Sequence, residues 1–194
     1  MRAALIGTIA AFLATAGASL AAEPPKEIAK CQGCHGADGN STSGEIPRLN
    51  GQSWLYIANR VRSFRDVTKQ SAHATQFMFT VNSGVSDAVL LDLAHYFAAQ
   101  PPTSAVPSGP LAEKGRQLYQ QGDGKSVPAC QSCHRVAGEG GGANPRLNGQ
   151  HAVYLRKQME HFSLLTRVNE AMNPHARNLT SEQMAALVAY LARD

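Results

Sequence analysis

Two stretches of this chain share a five-residue pattern, Cys31-Gln32-Gly33-Cys34-His35 and Cys130-Gln131-Ser132-Cys133-His134. These four cysteines are all the cysteines in the sequence. A single Cys-x-x-Cys fits a redox dithiol or half of a zinc site. Two copies, each followed directly by His and leaving no thiol over, read as two covalent attachment sites for a c-type haem. The two thiols of each motif add to the haem vinyl groups. The adjacent imidazole takes one axial face of the iron. A chain built this way has to wrap itself round two flat apolar groups.

The copying extends beyond the cysteines. Pro47-Arg48-Leu49-Asn50-Gly51-Gln52 begins 12 residues after His35, and Pro145-Arg146-Leu147-Asn148-Gly149-Gln150 begins 11 after His134. Tyr56 and Tyr154 lie nine residues past each Pro. The chain is therefore a tandem duplication of units of about 80–90 residues. A first unit is expected over residues 23–99, a join over 100–110 and a second unit over 111–194. The join holds four prolines and no helical period, so it reads as an extended linker.

Residues 1–22 read as a secretory signal peptide, with Arg2, an apolar run over Ala3–Leu13 and small residues up to cleavage near Ala21 or Ala22. The apolar run is too short and too rich in Ala, Gly and Thr for a membrane anchor, and no other stretch is long and apolar enough to span. A soluble mature protein in a Gram-negative periplasm is expected. The formal charge is +4, or +3 without Arg2. Residues 23–100 carry seven Lys/Arg and seven Asp/Glu, and residues 101–194 carry ten and seven. A mildly basic second half without a basic run or interleaved aromatics is not a nucleic-acid surface. It suits docking to an acidic partner face.

The helical signals also come in pairs. Ser53 caps a helix with Ile57, Val61 and Phe64 on its buried stripe, and Leu155, Met159 and Phe162 keep the same register. Ser86-Asp87 opens a last helix with Leu90, Leu93, Ala94 and Phe97 inward. Thr180-Ser181-Glu182 opens its twin with Met184, Leu187, Val188 and Leu191. Leu111–Gln121 reads as a further helix with Leu118 and Tyr119 facing the core. Gly138–Gly142 is a loop without the strand and Lys-Ser/Thr of a phosphate cradle. No strand pattern is convincing, so the fold class is all-α. Units this small have marginal cores, and the haem supplies the missing apolar bulk and a covalent staple.

What fills the second axial position decides between electron transfer and chemistry at an open iron. Met78 lies eight residues before Ser86, and Met172 eight before Thr180. This paired placement, in what read as irregular polar segments, marks both as axial ligands beside His35 and His134. Met159 aligns with Val61 and Met184 with Leu90, as core residues. His73, His95, His151, His161 and His175 have no partner in the other unit. Of these, His73 and His175 are the alternatives to Met. Pro47 and Pro145 are placed to offer a carbonyl to the axial His. Arg48 and Arg146 are expected near haem propionates, with Gln52, Gln150, Tyr56 and Tyr154 at haem edges.

With these residues the chain resembles the di-haem cytochrome c4 family over residues 23–194. The likeness rests on the two Cys-x-x-Cys-His motifs, His35-Gly36-Ala37-Asp38-Gly39-Asn40, the two Pro-Arg-Leu-x-Gly-Gln segments and the Met-then-capped-helix endings. Arg135-Val136-Ala137-Gly138 departs from the first unit's pattern, and Gln76–Gly84 is less family-like than its counterpart. The resemblance implies two class I cytochrome c domains about a pseudo-twofold axis, each with one His/Met-ligated haem c. It implies a periplasmic electron carrier, not an enzyme. The implied partners are redox proteins: a cytochrome bc1-type quinol-oxidising donor and a cbb3-type or other haem-copper oxidase acceptor. Any membrane-surface association would come through those partners. The alternative is a cytochrome subunit of a periplasmic redox enzyme, for example in sulfide or thiosulfate oxidation.

Overall fold

Strong N-caps and short apolar stripes divide this chain into short helices. The computed structural model describes residues 23–66 and 74–193, with backbone only for residues 74–76. The expected signal peptide and His73 lie outside the described residues. A 3-10 turn, Lys26–Ile28, leads into α1 (Ala29–His35), which carries the first cysteine motif. Then come α2 (Trp54–Ser63), α3 (Ala74–Asn82) and α4 (Asp87–Ala99). Beyond the Pro-rich stretch lie α5 (Gly109–Gln121), α6 (Gln131–His134), α7 (Ala152–Ser163), α8 (Met172–Arg177) and α9 (Ser181–Leu191). Among the described residues the only β pairing is two isolated bridges, Gly141–Asn144 and Gln150–Ala192.

The expected caps are present. Ser53 Oγ accepts from the Tyr56 amide at 3.4 Å, and Ser86 Oγ accepts from the Val89 amide at 3.3 Å. Thr180 and Gln183 form a reciprocal capping box, with bonds of 3.1 and 2.8 Å. The helix expected over Leu111–Gln121 starts two residues earlier. Pro110 sits in its first turn, where a missing amide proton costs nothing.

One expectation is corrected. The segments carrying Met78 and Met172 read as irregular, but Met78 lies within α3 and Met172 is the first residue of α8. Val67–Ser83 contains neither Gly nor Pro, so nothing in its sequence breaks a helix before Gly84.

Each half of the chain packs its own core. In the first, Ile28, Ile57, Ala58, Leu93, Ala94 and Phe97 are buried together, with Cys31 and Val61 against them. In the second, Leu118, Tyr119, Val127, Leu155, Leu187 and Leu191 are buried together, with Cys130 and Met159 against them. Met184 is also buried, so both Met159 and Met184 are core residues as the repeat predicts. The result is an all-α fold of two similar halves, each with its own core. Between them, equivalent residues make reciprocal contacts about a pseudo-twofold axis.

Candidate haem sites and the interface between them

His35 ends α1 and His134 ends α6, and both side chains are buried, at 7 and 6 % exposure. His35 Nδ1 lies 2.8 Å from the Pro47 carbonyl oxygen, and His134 Nδ1 lies 3.0 Å from that of Pro145. A carbonyl only accepts, so in each pair Nδ1 carries the proton and donates it. That leaves Nε2 as the lone-pair nitrogen, the form a metal needs. Burial pushes both imidazoles below the ordinary His range, against the opposing pull of the Pro carbonyl. A neutral ring is the ligating state.

None of the four cysteines is paired in a disulfide. Cys34 and Cys133 are exposed, while Cys31 and Cys130 are half-buried against the two cores. Burial raises the Cys31 thiol pKa and pushes Cys130 up to about 11. Among the described residues, no group of three or more His, Cys, Asp or Glu side chains is placed to hold a metal ion. Each motif instead offers two unpaired thiols and one imidazole with Nε2 free. That donor set fits a haem, whose ring brings four nitrogens of its own.

Met78 and Met172 are both half-buried. Phe77 beside Met78 is 73 % exposed. The approach to Met172 is tightly held. Asn169 Oδ1 accepts from the Met172 amide at 2.8 Å, and Asn173 Nδ2 donates to the carbonyls of Phe162 and Arg167 at 2.7 and 2.8 Å. Three histidines without a counterpart in the other repeat are engaged elsewhere. His95 stacks on Trp54 with ring centroids 4.6 Å apart, and His161 Nδ1 lies 2.8 Å from Thr166 Oγ1. His151 Nε2 donates to the Ser41 carbonyl at 2.9 Å across the two halves. His175 is exposed on α8.

The Gln52 and Gln150 carboxamides, expected at haem edges, are both engaged across the interface. Gln52 Oε1 accepts from the Arg146 amide at 2.6 Å, and its Nε2 donates to the Arg146 carbonyl at 2.9 Å. Gln150 does the same to Arg48, at 2.9 and 3.0 Å. A residue's main-chain N–H needs an acceptor and its C=O a donor, and a carboxamide supplies both. Arg48 also crosses the boundary. Its Nη1 donates to the carbonyls of Gly149 and Arg193 at 2.9 and 2.5 Å, and its Nε donates to Asn40 Oδ1 at 2.9 Å. Arg146 Nη2 donates to the Thr103 carbonyl at 3.1 Å.

Tyr56 and Tyr154 meet at Arg167, which donates to the Tyr56 hydroxyl at 3.1 Å. Burial opposes ionisation of Tyr56, but Arg167 and Arg60 outweigh it and hold Tyr56 below the usual phenol range. Burial pushes Tyr154 up to about 12. Arg60 lies over Phe64 at 4.3 Å and Arg167 over the equivalent Phe162 at 4.4 Å. Burial, then the charge of Arg167, lowers the Arg60 pKa. The Nε groups of Arg60 and Arg146 are buried without a protein acceptor. Unmatched buried guanidinium donors fit carboxylates such as haem propionates. Sequence comparison missed Arg60, Arg167 and His151. Gln158 and Ser53 stand where the other unit has Arg60 and His151, so identity between the repeats carries no signal there.

The cytochrome c family profile matches residues 112–193. Cytochrome c4 of Azotobacter vinelandii is 36 % identical over 177 residues, covering 85 % of this chain and 84 % of its own. The solved cytochrome c4 of Acidithiobacillus ferrooxidans superposes with a TM-score of 0.78 at 34 % identity, covering 84 % of this chain and 98 % of that one. The thiosulfate dehydrogenase electron acceptor of Thiomonas intermedia (strain K12) is 34 % identical over 197 residues, covering 96 % of this chain and 88 % of its own. Helical tandem domains, each offering thiols and an imidazole with Nε2 free, define a di-haem c-type cytochrome. Such a protein carries two covalently bound haem c groups and transfers electrons; it is not an enzyme. The chain belongs to the cytochrome c4 family.

Proposed function

We propose that this chain is a periplasmic carrier passing electrons from a bc1-type quinol-oxidising complex to a cbb3-type or other haem-copper terminal oxidase. In this reading residues 1–22 are removed on export. Residues 23–99 and 111–194 each hold one haem, joined by residues 100–110. Cys31 and Cys34 bind the first haem, and Cys130 and Cys133 the second. His35 with Met78, and His134 with Met172, supply the axial atoms. Arg60 and Arg146 face propionates. The haem, when bound, supplies one-electron exchange at its iron.

The protein's own residues supply the rest. The Pro47 and Pro145 carbonyls fix each imidazole with Nε2 outward. Met78 and Met172 would each supply a thioether sulfur to a haem, a ligand that favours the reduced state. The interface bonds hold the two sites in one arrangement. The observation that carries this reading is the pair of His–Pro contacts, 2.8 and 3.0 Å, at equivalent places in the two units.

A second reading takes thiosulfate dehydrogenase as the donor. It is favoured by the thiosulfate dehydrogenase electron acceptor of Thiomonas intermedia, whose likeness covers 96 % of this chain. Stopped-flow reduction separates the two. Faster reduction by the quinol-oxidising complex than by thiosulfate with its dehydrogenase supports the first reading. The reverse order supports the second.

A further inference from the structure

We infer that Gln52 and Gln150 are positioning residues that act across the interface, each tuning the axial histidine of the other unit. The inference rests on the di-haem reading above. The Pro145 carbonyl that accepts from His134 Nδ1 at 3.0 Å and the Arg146 amide that donates to Gln52 at 2.6 Å belong to one peptide group. The chain of bonds therefore runs from the His134 ring, through a single peptide plane, to a side chain of the first unit. The mirror chain runs from His35 through the Pro47–Arg48 peptide, 2.8 Å, to Gln150, 2.9 Å.

Bonds in series polarise one another. A peptide whose N–H is accepted has a more negative oxygen. A more negative oxygen draws harder on the Nδ1 proton and makes Nε2 more basic. A more basic axial nitrogen favours the oxidised iron. Gln52 thus lowers the potential of the second haem, and Gln150 that of the first. The second amide contact, Nε2 to the Arg carbonyl, fixes the carboxamide in the orientation that lets Oε1 accept.

The position has few substitutes. The carboxamides are buried, and Oε1 of each also accepts from the next residue's own amide, Ser53 or His151, at 3.0 Å. Each Gln is therefore anchored at its own helix start while reaching the other unit's histidine loop. The effect is crossed, and a merely structural role would not be.

The test uses the full holoprotein with Gln52→Leu and Gln150→Leu. Haem content is counted first by pyridine haemochrome. Fewer than two covalent haems in the unaltered protein would defeat the di-haem reading itself. With two present, nitrogen-15 NMR of the reduced protein follows the Nδ1–H of His35 and His134, and spectroelectrochemistry follows the two potentials. Gln52→Leu is expected to shift and speed solvent exchange of the His134 proton, leave that of His35 in place, and raise one potential. Gln150→Leu is expected to do the converse.

Gln52→Glu and Gln150→Glu keep the test in force if the Leu variants do not fold. A carboxylate is the stronger acceptor, so the opposite unit's histidine proton moves the other way. Shifts confined to the variant's own unit, equal in both units, or absent would overturn the inference.

Discussion

Arg135 follows His134 with φ of 63°, in left-handed backbone, where the first unit has Gly36 at φ 84°. With ψ of 172°, a side chain at this positive φ costs about 1–3 kcal/mol. Three bonds hold the turn there, one of them from the Gly138 amide to the Arg135 carbonyl at 3.2 Å. The Tyr119 hydroxyl donates to the Arg135 carbonyl at 2.6 Å, and the Gly140 amide donates to the His134 carbonyl at 3.0 Å. Arg135→Gly is expected to unfold at higher denaturant than Arg135→Ala, by about 1 kcal/mol. Urea titration of the two variants checks it, and coincident midpoints would show an unstrained turn.

Tyr119 is fully buried between α5 and the residue after the second cysteine motif. Tyr119→Phe removes its bond and leaves the Arg135 carbonyl with the Gly138 amide alone, at 3.2 Å, at a cost of about 1 kcal/mol. Burial, with smaller contributions from neighbouring groups, pushes the phenol pKa well above its ordinary value. The folded state therefore holds this proton more tightly than the unfolded chain. The stabilisation is complete below the ordinary tyrosine value, about pH 10, and is lost as pH rises beyond it. Thermal unfolding across the alkaline range should show a flatter decline for Tyr119→Phe than for the parent protein.

The linker is clamped by equivalent asparagines. Asn50 Nδ2 donates to the Pro101 carbonyl at 2.8 Å, and Asn148 Oδ1 accepts from the Ala105 amide at 2.8 Å. Gly149 packs so closely that a Cβ would lie 2.0 Å from the Thr103 carbonyl oxygen. Asn50→Ala with Asn148→Ala is expected to cost about 1–3 kcal/mol and to expose residues 100–110 to protease. Unchanged cleavage rates would mean that the backbone packing alone holds the linker.

Cys31→Ala with Cys34→Ala is expected to leave a protein with one covalent haem and a poorly folded first unit. Its core of six buried residues, three of them from α4, lacks apolar bulk without the haem. Haemochrome content and far-UV circular dichroism check this, and two retained haems would contradict the attachment assignment.

Helix ends were legible in the sequence because a cap is a local device. Ser53, Ser86 and Thr180 each bond within three residues of themselves. The His–Pro pairs were legible because the repeat doubled a spacing of 12 and 11 residues. The interface was not. Gln52 and Arg146 are 94 residues apart, and no pattern along the chain says which peptide a carboxamide will meet. The Arg60–Tyr56–Tyr154–Arg167 cluster was missed because Arg60 lies on α2 whereas Arg167 lies in the loop after α7, so the two are not repeat equivalents. The helical setting of Met78 was missed because polar composition stood in for a breaker that the segment does not contain.

Near-infrared magnetic circular dichroism of the fully oxidised holoprotein tests the axial ligands most directly. Two equivalents of the methionine–iron charge-transfer signature are expected, falling to one in Met78→Ala and to one in Met172→Ala; after reduction, carbon monoxide is expected to bind at the vacated iron of each variant. A bis-histidine signature at either haem, or an unchanged signal in either variant, would contradict the His35–Met78 and His134–Met172 pairing.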